Sequence, residues 1–280
     1  MDVLKLYTLF SLHSFCFLSA ALVIDRNQAG FSTLNTSGSD PASHTVTQGR
    51  ESIDVFLDRN KNITALTDPI VFAETCRNQH PSLYVISCSD SRVTESIMGA
   101  RIGEVFSQRN IANRYDDSDP SSVAGLEYAV KDLQIPNVVV LGHDDCGGVT
   151  VALEESLEEY GKDKKYIAPY HPNRLGLDRW IAPIKKLAFQ QLPALISNTS
   201  VSRNSSGTKK VPAFDKQAAM KKIVELNVIA QLNLIVKSRV VQDAWRSGSS
   251  LQVHGWVYSM QNGHIRVLET RTSTNLKKHN

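Results

Sequence analysis

Asn137-Val138-Val139-Val140-Leu141-Gly142-His143-Asp144-Asp145-Cys146-Gly147-Gly148 is the stretch on which the reading of this chain turns. Its first half is a continuous apolar run, mostly β-branched, that reads as a strand buried on both faces. Its second half places a histidine and a cysteine three residues apart. Two glycines follow, and a helical pattern then runs through about Tyr160. A buried strand that presents an imidazole and a thiol just beyond its carboxyl end matches the place where open α/β sheets bind ligands.

A second stretch has the same form. Leu83-Tyr84-Val85-Ile86-Ser87 reads as another buried strand, and it delivers Cys88 in the run Cys88-Ser89-Asp90-Ser91-Arg92. Residues 104–107 suggest a further strand. Helical spacing appears in residues 51–60, from Asp68-Pro69 to about Gln79, from Asp119-Pro120 to Leu133, in Trp180 to Leu192, and from Phe214 to Arg239. Residues 161–174 read as a loop. Ser250 to Ser259 and His264 to Glu269 flank Asn262-Gly263, a hairpin signal. The expected fold class is therefore α/β: a central, mainly parallel β-sheet flanked by helices, with a C-terminal antiparallel hairpin at its edge.

Two thiolates and a neutral imidazole suit Zn²⁺. Three protein ligands, Cys88, His143 and Cys146, leave a fourth tetrahedral position open, as in a catalytic zinc site. His-x-x-Cys alone is a weak signal; joined to Cys-x-Asp-x-Arg at a strand end it is a strong one. Asp90 and Arg92, two residues apart, can form a clamp that keeps the carboxylate ionised and aimed. Beside zinc, Asp90 could orient a bound hydroxide. It could also ligate the metal as a fourth ligand in a closed state, or be half of a structural ion pair. Gly147 and Gly148 allow close approach of the backbone to the metal and also suit a plain helix start. Asp144 and Asp145 read as exposed loop carboxylates. A Cys88–Cys146 disulfide is the competing use of the two sulfurs, but it would leave His143 and the surrounding Asp, Arg and Gly residues without a purpose. Cys76 has no partner in the metal pattern.

The charge is nearly balanced, with 31 basic and 28 acidic side chains for a formal +3, and no long basic stripe. No nucleic-acid partner is expected. Residues 1–21 read as a signal peptide: Lys5 opens it, Leu6 to Ile24 is mostly apolar, and Ser19-Ala20-Ala21 offers small residues for cleavage. A membrane anchor is the alternative, near the lower length limit for a span and interrupted by His13. Residues 22–50 are rich in Ser, Thr, Gly and Asn and read as a flexible mature N-terminus. Residues 51–280 read as a single domain, with an exposed polar insertion at about 197–212. Asn35, Asn62, Asn198 and Asn204 stand in Asn-x-Ser/Thr sequons. These features imply a secreted protein with sites for N-glycans and no membrane partner after signal cleavage.

The runs Cys88 to Arg92 and Gly142 to Gly148, together with Arg109-Asn110-Ile111-Ala112-Asn113, resemble the β-class carbonic anhydrases. The likeness is close from about Gln79 to Val149 and looser to the C-terminal hairpin. It implies reversible hydration of CO2 to bicarbonate and a proton through a zinc-bound hydroxide, with one Zn²⁺ per subunit. It implies that Asp90, held by Arg92, orients the hydroxide. Gln79 matches a residue that hydrogen-bonds substrate, and Phe106 and Tyr128 match aromatic walls of the CO2 pocket. Gly147 joins them as a substrate-binding position. It also implies a homodimer or higher homo-oligomer. One branch of the family closes its zinc with the Asp and carries Trp three residues before the first ligand. Val85 stands there in this chain, which favours the open site. A CS2 or COS hydrolase on the same fold, or a non-catalytic zinc or thiol protein, are the rival readings.

Overall fold

The computed structural model describes residues 52–163, 173–197 and 214–275. The expected signal peptide, the polar N-terminus and most of the 197–212 insertion lie outside these residues. So do sequons Asn35, Asn198 and Asn204. The chain divides into two compact units, residues 1–60 and 61–280. Helix α1 (Ile53–Leu66) begins in the first unit and ends in the second. Asn62 is exposed on it. No helix among the described residues is long and apolar enough to cross a membrane.

The second unit is built on one sheet. Asp68 accepts from the Ile70 N–H and caps α2 (Pro69–Thr75), which stops at Cys76, earlier than the expected Gln79. Strands β1 (Leu83–Cys88) and β2 (Val105–Asn110) follow. The second is longer than the sequence suggested and carries Arg109 and Asn110. Asp119 caps α3 (Pro120–Glu127), which runs on as a π-helical turn through Asp132. Then come β3 (Asn137–His143), α4 (Gly147–Asp163) and α5 (Leu175–Ser197). Helix α4 extends into the segment read as a loop, and α5 starts directly after that segment, five residues before Trp180.

Where one helix was expected up to Arg239, the structure has two, α6 (Lys216–Lys237) and α7 (Arg239–Arg246). Ser238 leaves helical geometry, and its side chain accepts from the Val241 N–H, so it ends one helix and caps the next. Strands β4 (Gln252–Tyr258) and β5 (Ile265–Arg271) form the predicted hairpin, with a bulge at Gly255/Trp256.

The strand order is β2-β1-β3-β4-β5, with every pair parallel except β4–β5. The α/β sheet with its antiparallel edge hairpin is thus as expected. The chain leaves β1 toward β2 on one side and returns to β3 on the other, so β1 and β3 flank the point where the strand order reverses. Such a switch point leaves a crevice outside the carboxyl ends of the two strands.

Both strands are buried, and Val138 to Val140 have no exposed surface. Helix α6 lies close over β3 and β4, and a Cβ at Gly142 would stand 2.5 Å from a Val228 methyl. Helices α4 and α5 are tied by a buried ion cluster in which Lys185 Nζ lies 3.0 Å from Asp178 Oδ1 and also contacts Glu155.

Candidate metal centre

Each motif residue reaches the crevice from a different element. Cys88 is the last residue of β1 and His143 the last of β3. Asp145 adopts a left-handed conformation, φ 53°. This tightens the turn after β3 and sets Cys146 at the start of α4, where its carbonyl accepts from the Thr150 N–H at 2.8 Å. The Asp144 N–H donates to the Tyr258 carbonyl at 3.0 Å, tying this turn to β4. All three side chains are buried.

Their ligand atoms lie within 4.8 Å of one another. The two sulfurs are 3.9 Å apart. A disulfide bond is about 2.05 Å long, so the competing reading of these cysteines is excluded. Two sulfurs each about 2.3 Å from a tetrahedral zinc would stand roughly 3.8 Å apart, which is the spacing found. His143 Nδ1 is 2.8 Å from the Asp144 carbonyl oxygen. That partner requires the proton on Nδ1 and leaves the Nε2 lone pair bare. Nε2 is buried and has no hydrogen-bond partner. An orphaned acceptor beside two thiols fits a cation.

The electrostatics agree. The bond from Cys146 first, then the adjacent His143 ring and the backbone N–H groups of Asp90 and Ala112, pull the Cys88 thiol down against the cost of burial. Cys146 is pushed up, first by its bond to Cys88 and then by burial, although the N–H groups of Val149 and Gly148 at the start of α4 favour its thiolate. Two sulfurs this close share one proton; a cation between them allows both to ionise.

Asp90 is outside the set of atoms that converge on one point. Its Oδ1 accepts from the Arg92 backbone N–H at 3.0 Å and from Nε at 2.9 Å, and its Oδ2 accepts from Nη2 at 2.7 Å. These bonds hold the carboxyl well below the ordinary range. Arg109 braces the same loop, its Nη2 donating to the Asp90 carbonyl at 2.7 Å and its Nε to that of Cys88 at 3.2 Å.

Gln79, Phe106 and Tyr128 come together, away from the metal ligands. Gln79 and Tyr128 share a cleft of about 490 Å³ that contains none of the three ligands. The Phe106 ring packs 5.8 Å from that of Tyr128. Phe106 pairs with Tyr84 at the start of β1, whereas Cys88 pairs with Asn110 at its end. Four strand residues separate the two levels, roughly 13 Å at about 3.3 Å per residue. Close approach to the backbone occurs at Gly148, where a Cβ would stand 2.7 Å from the Ile111 Cγ2 and 3.1 Å from the Ala112 Cβ; one at Gly147 meets nothing within 4 Å.

One part of the centre has no ligand motif. After β2 the chain makes the turn Ile111–Asn113, with Ala112 at φ 62° and Asn113 at φ 48°. Left-handed residues other than glycine cost about 1–3 kcal/mol each. Trp180 Nε1 donates to the Ile111 carbonyl at 2.8 Å, and the Arg114 guanidinium lies over the Trp180 ring at 4.5 Å. Asn227 of α6 also reaches this turn, and Gln231 reaches the backbone just after it, at Tyr115. The readable signal for these two was a polar pair four residues apart within an otherwise apolar face.

Comparison with known proteins agrees with the geometry. A family model described as carbonic anhydrase matches residues 83–265. A carbonic anhydrase of Emericella nidulans is 33% identical over 206 residues, which is 72% of this chain and 75% of that protein. The structure of a Coccomyxa β-carbonic anhydrase in complex with acetazolamide has a TM-score of 0.63 and 28% identity, covering 80% of this chain and 89% of that one. One of two tetrameric β-carbonic anhydrases from Sordaria macrospora has a TM-score of 0.62 and 28% identity, covering 78% and 98%. A cysteine–histidine–cysteine cluster at the switch point of this sheet, within a family match that spans the sheet from β1 to the start of β5, places the chain in the β-class carbonic anhydrase family.

Proposed function

We propose that this protein catalyses the reversible hydration of CO2 to bicarbonate and a proton, with one Zn²⁺ per subunit held by Cys88, His143 and Cys146. The observation that carries this is the convergence of exactly those three buried ligand atoms, with Asp90 held aside by Arg92. When bound, Zn²⁺ lowers the pKa of a coordinated water from 15.7 to about 7 and so supplies a nucleophile at neutral pH. The protein does the rest. Arg92 keeps Asp90 ionised and engages both its oxygens, so the carboxylate would stand beside a bound metal as an acceptor. Asp90 is then an acceptor that orients the attacking oxygen by taking its hydrogen bond. Arg109 fixes the backbone on which both Cys88 and Asp90 stand.

The substrate-binding group belongs, on this reading, to a second copy of the chain. Gln79 precedes β1 and Cys88 ends it, so the strand alone separates them by roughly 16 Å, five steps of about 3.3 Å. A homo-oligomer would bring Gln79, Phe106 and Tyr128 of one subunit to the metal of its neighbour. The apolar residues Ile63, Leu66 and Ile70, exposed on a single chain, support such an assembly. A dimer is the smallest that satisfies it. We also read the protein as exported, on the strength of the apolar stretch Leu6 to Ile24 and the four sequons.

Metal analysis beside a stopped-flow CO2 assay tests the function. Stoichiometric zinc and rapid hydration are expected. Zinc-loaded protein that turns over CS2 or COS and not CO2 would replace the reading.

A further inference from the structure

The turn Ile111–Asn113 lies between the elements that carry the two sulfur ligands. The turn follows directly on Asn110, the residue of β2 that pairs with Cys88, and Ile111 and Ala112 pack on Gly148, two residues after Cys146. Yet Ala112 and Asn113 are in a conformation that non-glycine residues keep only when the surroundings over-determine it. Helix α6 supplies those surroundings. Asn227 Nδ2 donates to the Ala112 carbonyl at 3.0 Å. Gln231 Nε2 donates to Asn227 Oδ1 at 3.0 Å, and Gln231 Oε1 accepts from the Tyr115 N–H at 3.0 Å.

Both side chains are buried, at 1% and 3% exposure, on a helix face otherwise made of Val224, Val228, Leu232 and Ile235. Amides among aliphatic side chains are costly unless they find partners. These two find theirs in one another and in residues 112–115.

We infer that Asn227 and Gln231 are positioning residues of the metal centre, which lock Ala112 in its left-handed conformation so that the turn stays seated between the end of β1, which carries Cys88, and the start of α4, which carries Cys146. The inference rests on the zinc reading given above. Groups that orient a metal ligand from outside tune its affinity even though they never touch the ion. Without the Asn227 amide, Ala112 relaxes toward right-handed backbone and the turn loses its seat against Gly148 and the end of β1.

The test uses the zinc-loaded protein in four forms: wild type, Asn227→Leu, Ala112→Gly, and the double variant. Glycine enters left-handed conformation without support, so Ala112→Gly removes the strain that the clamp opposes. Two quantities are read: the rate of zinc release to excess chelator, and the thiolate-to-metal charge-transfer band after Co²⁺ substitution. Asn227→Leu is expected to release zinc about tenfold or more faster and to shift the band. In the Ala112→Gly background the same substitution should have a much smaller effect. Wild-type behaviour of Asn227→Leu in both readouts overturns the inference. So does an equal acceleration in the two backgrounds, since Asn227 would then be only a piece of the core. If Asn227→Leu fails to fold, rescue by Ala112→Gly supports the inference and failure of that rescue overturns it. Wild-type protein that folds yet takes up neither zinc nor Co²⁺ would instead sink the metal reading itself.

Discussion

Arg92 grips both carboxylate oxygens of Asp90, through Nε at 2.9 Å and Nη2 at 2.7 Å, although a single residue separates them in the chain. The clamp engages both oxygens and keeps the acid charged. Asp90→Asn is therefore expected to keep stoichiometric zinc and to lower the CO2 hydration rate by about 100-fold, the lower range for loss of a positioned proton acceptor. Arg92→Gln should lower the rate as well, because its carboxylate is no longer aimed. Zinc analysis and stopped-flow kinetics on the two variants check this; full activity in Asp90→Asn removes the residue from the mechanism.

Subunit mixing tests the shared site. Gln79→Ala and Cys146→Ala homo-oligomers should each be inactive or nearly so. If substrate groups and metal come from different chains, reassembled mixtures should regain activity, because one site in the mixed oligomer receives both intact halves. Mixtures that form but stay inactive would place Gln79 with its own chain's metal.

Gly148 leaves no room for a side chain against Ile111 and Ala112. Gly148→Ala should push the turn away from α4, with a stability loss of about 1–3 kcal/mol as for other overpacked sites and faster zinc release. Thermal melts and chelator kinetics check it. Gly147→Ala, which meets nothing within 4 Å, is the contrasting variant and should melt like the wild type.

His254 predicts a pH dependence of stability. Its Nδ1 lies 2.9 Å from Thr270 Oγ1 and its Nε2 3.3 Å from Asn137 Oδ1, so it bridges β3, β4 and β5. Burial lowers its pKa in the folded protein. The unfolded chain, with a value near 6.5, then binds a proton more readily than the folded one. Stability is full above about pH 6.5 and falls as the pH drops through that value toward the folded pKa. Denaturant midpoints between pH 5 and 8 should show this decline in the wild type and a flatter profile in His254→Asn. Equal slopes would show that His254 does not set it.

The cluster of Cys88, His143 and Cys146 was legible because each motif is local. A β-branched run, a histidine three residues from a cysteine, and a second cysteine closing another such run declare themselves within a dozen residues, and the period of the apolar positions separates strand from helix. The sheet and its edge hairpin followed from the same periodicities. Helix limits were less legible. Ser238 splits the last long helix by offering its hydroxyl as a cap, a choice that competes with continuing the helix and is decided by how α7 packs.

Only the tertiary structure could decide the rest. Asn227 and Gln231 lie more than 110 residues from the turn they hold, and nothing in their own neighbourhood names that partner. The 3.9 Å between the sulfurs required two strands to lie side by side at the switch point. The distance between Gln79 and Cys88 required knowing that a whole extended strand runs between them. Sequence records which side chains can bond a metal; long-range packing selects which of them meet.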